Sequence, residues 1–334
     1  MRRWTNLALV VLLGSAFTTG WVAFFYGTAP ARWSLVVHAA SGFAVVALTP
    51  WKSVIAAHGL RRRRAGWIAS VAFTGLVVVS VLAGLLHSSG LLRELGPITA
   101  MEVHVGAALI AIPFAVWHVI ARRVPVRSTD LSRRSLLRGG VLLGAAGLAY
   151  AASEGAVQLA NLPGAGRRFT GSYALGSLHP DQLPVTQWMF DVVPTIASAD
   201  WRLVVEAGGA VRHWAYAELQ GFDDRVRATL DCTGGFYSEQ DWSGVWLHRL
   251  LPATPEAMSL LVTSSTGYTR RFPIEEAGRL LVATRLGGAT LDAGHGFPVR
   301  LVAPNRRGFW WVKWVTAIRA EGLPSWWQVP FPTQ

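Results

Sequence analysis

The 334-residue sequence predicts a chain in two parts. An N-terminal all-α membrane helix bundle of four to five helices precedes a C-terminal α+β domain that is mostly β. Three observations point there. The formal net charge of +12 lies wholly in residues 1–152, which hold 15 Lys/Arg against 3 Asp/Glu, while residues 153–334 hold 16 of each. The basic half is also the greasy half, with four long apolar runs in its first 120 residues. Beyond residue 168 the pattern changes to short β-rich runs broken by Gly, Pro and Asp. A nucleic-acid-binding protein is a poor fit, because its basic face would not be apolar. The apolar content excludes disorder, and the single cysteine, Cys232, excludes an intramolecular disulfide framework.

The runs are Leu7–Tyr26, Trp33–Leu48, Gly66–Leu86 and Val103–Ile120. A bilayer core takes about 20 apolar residues of helix. The second run is short and meets Pro50, beyond which Trp51–Ala57 extends it past an expected kink. Runs apolar on every face have no side to turn to water. With Arg2 and Arg3 in the cytoplasm, Lys52, Arg61–Arg64, Arg122, Arg123, Arg127, Arg133, Arg134 and Arg138 all fall inside, and only Arg32 and Arg93 fall outside. The expected setting is the cell membrane, with several passes and the C-terminal domain on the periplasmic or extracellular side.

A fifth run, Gly139–Ala152, is shorter and rich in Gly and Ala. It follows Ser132-Arg133-Arg134-Ser135-Leu136-Leu137-Arg138, which resembles a twin-arginine export box. The alternative is a basic flank that stops transfer. That export route carries folded proteins, so the box implies a cofactor inserted before export. Asn161–Arg168 reads as a linker. The expected divisions are 1–125 for the four-helix domain, 126–168 for the box, fifth segment and linker, and 169–334 for the exported domain.

Five of nine histidines lie in the greasy half: His38, His58, His87, His104 and His118. Polar side chains at membrane depth are costly and usually functional. His104 and His118 are 14 residues apart on one expected helix, so they share a face within about 40° and stand ~21 Å apart. That spacing suits two stacked haems, each taking one imidazole here and one from a neighbouring helix. His38 and His87 are candidate partners of His104, and His58 lies at the depth of His118. The alternative is histidines at helix ends or lining a quinone site. The pattern resembles four-helix membrane cytochromes b and implies haem b.

In the exported half, strands are expected over Trp201–Glu206, Val226–Cys232, Ser259–Ser264, Leu280–Thr284, Val299–Ala303 and Trp311–Arg319. Short helices are expected at Tyr216–Leu219, Val245–Leu251 and Ile274–Gly278. A lone cysteine outside the cytoplasm is a liability unless buried or ligated.

The stretch Ala228-Thr229-Leu230-Asp231-Cys232-Thr233-Gly234-Gly235, followed by Trp242-Ser243-Gly244-Val245-Trp246-Leu247, resembles the core of the sulfite oxidase family of molybdopterin enzymes. There a strand ends in a cysteine and a WxGVxL segment opens a helix. Gly294-His295-Gly296-Phe297-Pro298-Val299-Arg300-Leu301-Val302-Ala303-Pro304 is similar to the family's HGFPxRLVxP run, and Gly308 with Val312-Lys313-Trp314-Val315 to its G…VKW run. The resemblance implies a sulfite-oxidase-type molybdopterin domain with Cys232 as the molybdenum thiolate, a soft ligand suited to that metal. It further implies pterin or phosphate contacts from His295, Arg300 and Lys313, with Thr233 and Gly234 beside the cysteine and Thr186 in a cofactor-lining loop. With Gln334 as the last residue, no C-terminal dimerization domain is expected. That matches the compact form, like the periplasmic methionine sulfoxide reductase catalytic subunit.

The Asn-Arg step that follows the cysteine in sulfite oxidizers is here Thr233-Gly234-Gly235-Phe236-Tyr237, without a cation. The polar residues before VKW are Trp310 and Trp311, and the Asp often preceding HG is Gly294. Arg270, Arg271, Arg306 and Arg307 are expected to be solvated. The reading is a membrane-anchored oxidoreductase that moves an oxygen atom on a small S- or N-oxide. Electrons would come from a quinone pool or another donor, through haem. The alternatives are sulfite-type oxidation, a membrane half that only anchors, and a cofactor-free binding domain on a membrane anchor.

Overall fold

In the computed structural model the described residues are 2–61, 66–96, 98–188, 191–252 and 256–329, and the side chains of residues 2 and 58–61 fall outside that description. The chain divides into two compact units, Met1–Tyr173 and Ala174–Gln334.

The first unit is helical. Its helices are α1 (Arg2–Phe25), α2 (Arg32–Arg61), α3 (Trp67–Ser89), α4 (Ala100–Ala121) and α5 (Arg133–Leu159). All five are long and apolar enough to cross a membrane. Large apolar side chains such as Val11, Ile68, Ile110 and Leu148 point outward, which suits lipid and not water. Where helices meet, Ala44, Val45 and Leu48 of α2 pack with Leu12 of α1 and Ala146 of α5, and the two alanines let the helices approach.

The second run does extend past Pro50, which lies inside the single 30-residue helix α2. One expectation needs correction here. The fifth segment is a 27-residue helix and not a 14-residue stretch. Its N-cap is Ser132, whose hydroxyl accepts from Ser135 N, so Arg133, Arg134 and Arg138 of the export-like box lie within the helix. The apolar run alone hid this, because the basic first turns and the polar last turns still have helix-forming residues.

The second unit is mostly sheet. Its strands are β1 (Arg202–Ala207), β2 (Ala210–Ala215), β3 (Asp224–Asp231), β4 (Phe236–Trp246), β5 (Ser259–Ser264), β6 (Thr269–Pro273), β7 (Leu281–Leu286), β8 (Ala289–Thr290), β9 (Arg300–Val302) and β10 (Val315–Glu321). One sheet has the order β2-β1-β10-β5-β6, in which only the β1–β10 pair is parallel. In the other, β4 pairs antiparallel with β3 from Asp224↔Gly244 to Asp231↔Tyr237 and with β7, which also pairs with β8 and β9. Leu203, Val205, Leu260, Val262 and Ile318 fill the inner face of the first sheet, and Val245, Val282 and Leu301 that of the second.

Most expected strands are present, but two local expectations fail. Trp242–Trp246 does not open a helix: it ends the long strand β4, and only Leu247–Arg249 forms a 3-10 turn. Gly244 explains this, since a Cβ there would lie 2.1 Å from Val282 O on the paired strand β7. Lys313 is not inside a strand either. Gly308–Trp310 is a 3-10 turn, Trp314 has φ +51°, and β10 begins only at Val315. The aromatic run reads as a strand by propensity, yet it folds as a loop that lines the site.

Candidate active site

Cys232 ends β3. Its backbone N–H donates to Phe236 O at 2.8 Å, and Gly235 N donates back to Cys232 O at 3.2 Å. This closes a tight β3–β4 turn in which Gly235 has φ +103°, open only to glycine at low cost. The Sγ accepts from Gly234 N at 3.4 Å and lies 4.0 Å from Thr186 Oγ1. Burial pushes the thiol pKa up, while the Gly234 amide and the Thr186 hydroxyl work against it. A thiol in that state is protonated at neutral pH until a metal displaces the proton.

Arg307 holds the turn from behind. Its Nε donates to Asp231 O at 3.2 Å, its Nη2 donates to Cys232 O at 3.0 Å, and its Nε lies 3.3 Å from the Asp231 carboxylate. Both side chains are buried. Gly308 allows the approach, since a Cβ there would sit 3.2 Å from Cys232 Cα.

A second group of residues faces the same loop. Lys313 Nζ donates to Thr186 O at 2.6 Å and to Gly294 O at 2.5 Å. Burial first, and the charge of Arg300 second, push its pKa down to about 7. Arg300 is fully buried, and burial pushes its guanidinium down to about 9, so it is still cationic at neutral pH. One nitrogen donates to His295 O at 3.1 Å, Nε has no hydrogen-bond partner, and the fork lies over the Trp242 and Trp311 rings at 4.8 and 5.6 Å. His295 is clamped. Its Nδ1 is 2.7 Å from Asp292 Oδ2, and its Nε2 is 3.0 Å from Leu183 O. Burial works against the Asp292 charge, but the ring and backbone N–H of His295 outweigh it and hold the carboxyl below its usual range.

The site is therefore short of negative charge. The buried Arg300 and the partly buried Lys313 repel each other; Arg300 has an orphaned N–H, and the hydrogen-bond partners of Lys313 are neutral carbonyls. A phosphate group answers all three conditions. A protonated thiol that shares the Thr186 residue with Lys313 suits a soft metal held near that phosphate.

Residues 190–326 match a family model described as the oxidoreductase molybdopterin binding domain. The C-terminal region is a sulfite-oxidase-type molybdopterin-binding domain. Among solved structures the chain is similar to the sulfane dehydrogenase SoxCD from Paracoccus pantotrophus, at 24% identity and a TM-score of 0.37, over 39% of this chain and 40% of that one. The chain thus spans about 40% of the length of that relative. No curated protein matches it.

In the molybdopterin domain the structure brings together Thr186, Cys232, Gly234 and Lys313, with Arg300 and His295 beside them. Thr233 sits in the turn between Cys232 and Gly234. Three contributors were missed by sequence reasoning: the pair Arg307–Asp231, Asp292 in place of the residue at Gly294, and Trp311 as a wall for Arg300. The four loop arginines overturn an expectation. Arg270, Arg271 and Arg307 are buried. Arg271 pairs with Glu321 and Arg306 with Glu276. Arg270 is caged by Tyr268, Phe309 and Trp310 at 5.1–5.8 Å. The signal was available, because each arginine sits among aromatic residues, where a cation–π cage offsets desolvation.

In the helical unit, the His38 and His104 rings stand edge-on, at 86°, with centroids 5.7 Å apart. His118 Nδ1 lies 3.2 Å from Ser70 Oγ. His87 is buried at the end of α3, with Nε2 2.8 Å from Gly171 O and its ring edge-on to Tyr173. The side chain of His58 lies outside the described residues.

Proposed function

We propose that this chain is a membrane-anchored molybdopterin oxidoreductase that reduces a small S- or N-oxide outside the cytoplasm, with electrons delivered through haem in the helical unit. The observation that carries it is the Cys232 thiol on the Thr186 loop that Lys313 also binds, with buried Arg300 next to Lys313 and neither cation hydrogen-bonded to a carboxylate. When bound, the molybdenum group supplies two-electron oxygen-atom transfer. Cys232 would give the metal its thiolate, and Gly234 N and the Thr186 hydroxyl would stabilise the charge on sulfur. Arg300 and Lys313 would hold the pterin phosphate, and His295, locked by Asp292 and Leu183 O, would present a fixed edge to the pterin. The turn after Cys232 offers no cation, and Arg271, Arg306 and Arg307 are engaged with carboxylates. Such a pocket favours a neutral oxide over an anion. Two electrons and two protons then release the reduced compound and water.

Membrane anchoring with the C-terminal domain outside is supported by charge placement and by two ion pairs. Arg3 of α1 binds Asp130, just before α5, through two bonds of 2.6–2.7 Å. Arg167, just after α5, binds Glu154 near its end. The starts of α1 and α5 thus share a face, as expected when four crossings separate them. A twin-arginine-like box at the start of α5 fits export of a domain already loaded with cofactor. A quinone pool is the proposed electron source.

Metal analysis of membrane-purified protein tests this directly, followed by oxidation of a reduced dye with sulfoxides, N-oxides and, in reverse, sulfite. Molybdenum and turnover with an oxide are expected, and Cys232→Ser is expected to lose turnover while keeping its fold. Molybdenum-free protein from a host that makes the cofactor, or full turnover in Cys232→Ser, would refute the reading.

A further inference from the structure

The four helices α1–α4 repeat one hairpin design, and the repeat differs at one layer. In the first hairpin, His38 of α2 sets Nδ1 2.7 Å from Ala16 O of α1. One turn on, Gly20 leaves the space the ring occupies, since a Cβ there would meet the imidazole at 2.9 Å. In the second hairpin, His104 of α4 sets Nδ1 2.7 Å from Ser80 O of α3. Again one turn on, Gly84 leaves the space, with a Cβ 2.9 Å from the ring. The carbonyl and the glycine are four residues apart in both hairpins, and the two rings meet at 5.7 Å.

This arrangement determines which ring nitrogen is available. A carbonyl accepts only from N–H, so Nδ1 carries the proton in each ring and Nε2 keeps its lone pair. Among the described residues neither Nε2 has a hydrogen-bond partner. An imidazole oriented by a carbonyl through one nitrogen and open at the other is the arrangement of a metal ligand. Two imidazoles on one iron stand about 6 Å apart between ring centres. Two carbonyl-oriented histidines from opposite hairpins, with glycines clearing both and rings edge-on at 5.7 Å, are placed where one iron could take an imidazole from each.

Fourteen residues along, the same registers meet different side chains. The position 14 beyond His38 is Lys52, and the position 14 beyond His104 is His118. On the antiparallel partners, 14 residues back from Gly20 is Asn6, and 14 back from Gly84 is Ser70. The structure pairs these residues: Lys52 Nζ donates to Asn6 Oδ1 at 3.0 Å, and Ser70 Oγ lies 3.2 Å from His118 Nδ1. The clearing glycines are replaced by side chains, and one imidazole by an ammonium. His87 is set apart from the pair: Gly171 O takes Nε2, the nitrogen left open in His38 and His104, its Nδ1 is buried without a hydrogen-bond partner, and its ring stands edge-on to Tyr173.

We infer that the helical unit binds one haem b, on His38 and His104; among the described side chains the layer of Lys52 and His118 offers no second imidazole. This deepens the proposed electron path and rests on it for function, but not for detection. The test is the spectrum of the full chain in detergent, with haem and molybdenum counted separately. One haem per chain with a low-spin Soret band is expected. His38→Ala and His104→Ala should each lose the low-spin band at unchanged molybdenum content, while His87→Ala and His118→Ala keep it. Added imidazole should restore the band in His104→Gly, which separates a lost ligand from a lost fold. Gly84→Leu should displace the His104 ring and weaken the band as well. Two haems per chain, an intact band in His38→Ala or His104→Ala, or failure of imidazole to restore the band would overturn the assignment. Molybdenum without haem in the parent protein would overturn it too, leaving the oxidoreductase reading in place. Haem without molybdenum would overturn that reading and leave this one.

Discussion

Replacing Lys313 with Met tests whether the site is built for an anion. In the unfolded chain this amine titrates at its ordinary value of 10.5, and in the fold at about 7. Between those values the unfolded chain binds more protons than the folded one, so stability rises with pH across the window. The cost of burying the charge is fully present below pH 7, where both states are protonated, and disappears above 10.5. At 1.36 kcal/mol for each pH unit the upper bound is about 5 kcal/mol. The side chain still meets some solvent, which reduces the figure to about 2–3 kcal/mol. Met keeps the length and removes the charge. Cofactor-free Lys313→Met should therefore be the more stable protein at pH 6–7, by a melting shift of about 5–10 °C for the C-terminal unit. That advantage should shrink steadily as pH rises to 9.5. In a host that makes the cofactor the same variant should lose molybdenum, because the phosphate has lost a cation. The assay is the thermal midpoint against pH for full chains from cofactor-deficient and cofactor-competent hosts, with metal analysis of the second. Parallel pH curves for parent and variant, or unchanged molybdenum content in the variant, would refute the reasoning.

Three further outcomes are expected. Arg307→Ala leaves the Asp231 carboxylate buried without its partner, so a loss of about 3–5 kcal/mol is expected in chemical denaturation; Asp231→Asn in the same chain should recover part of it. Gly244→Ala puts a methyl 2.1 Å from Val282 O and 2.7 Å from Ala283 Cα, so β4 and β7 must separate. A stability loss of at least about 1–3 kcal/mol should appear in the melting curve. Arg3→Ala removes the two bonds from α1 to Asp130, whose carboxyl that arginine holds down at about 2. The pair is half-buried at the helix ends and insertion rests on the apolar spans, so bilayer insertion, measured by protease protection of the C-terminal unit, should stay unchanged while the segment before α5 becomes more readily cleaved.

The sequence by itself determined where the chain divides in character, which segments are long and apolar enough to span a bilayer, and that Cys232 is the one thiol available. These are properties of composition and of short motifs. Hydrophobic length, charge placement and the Cys232, His295–Arg300 and Lys313 runs can all be read without knowing what packs against what. Tertiary structure decided everything that depends on a partner distant in sequence. Arg307 and Arg270 read as solvated because burial of a cation depends on what surrounds it: Asp231 is 76 positions from Arg307, and the ring of Tyr268 caps Arg270 only once Phe309 and Trp310 close the cage. Trp242–Leu247 reads as a helix opening because its local pattern cannot register Val282 O, which leaves no room for anything but Gly244 in a paired strand. The sequence put His104 and His118 on one face as the leading pair, but left the partner of His104 open between His38 and His87 for the same reason. Helical spacing places side chains on a face, but only the packed neighbour decides which ring nitrogen meets a carbonyl and which is left open.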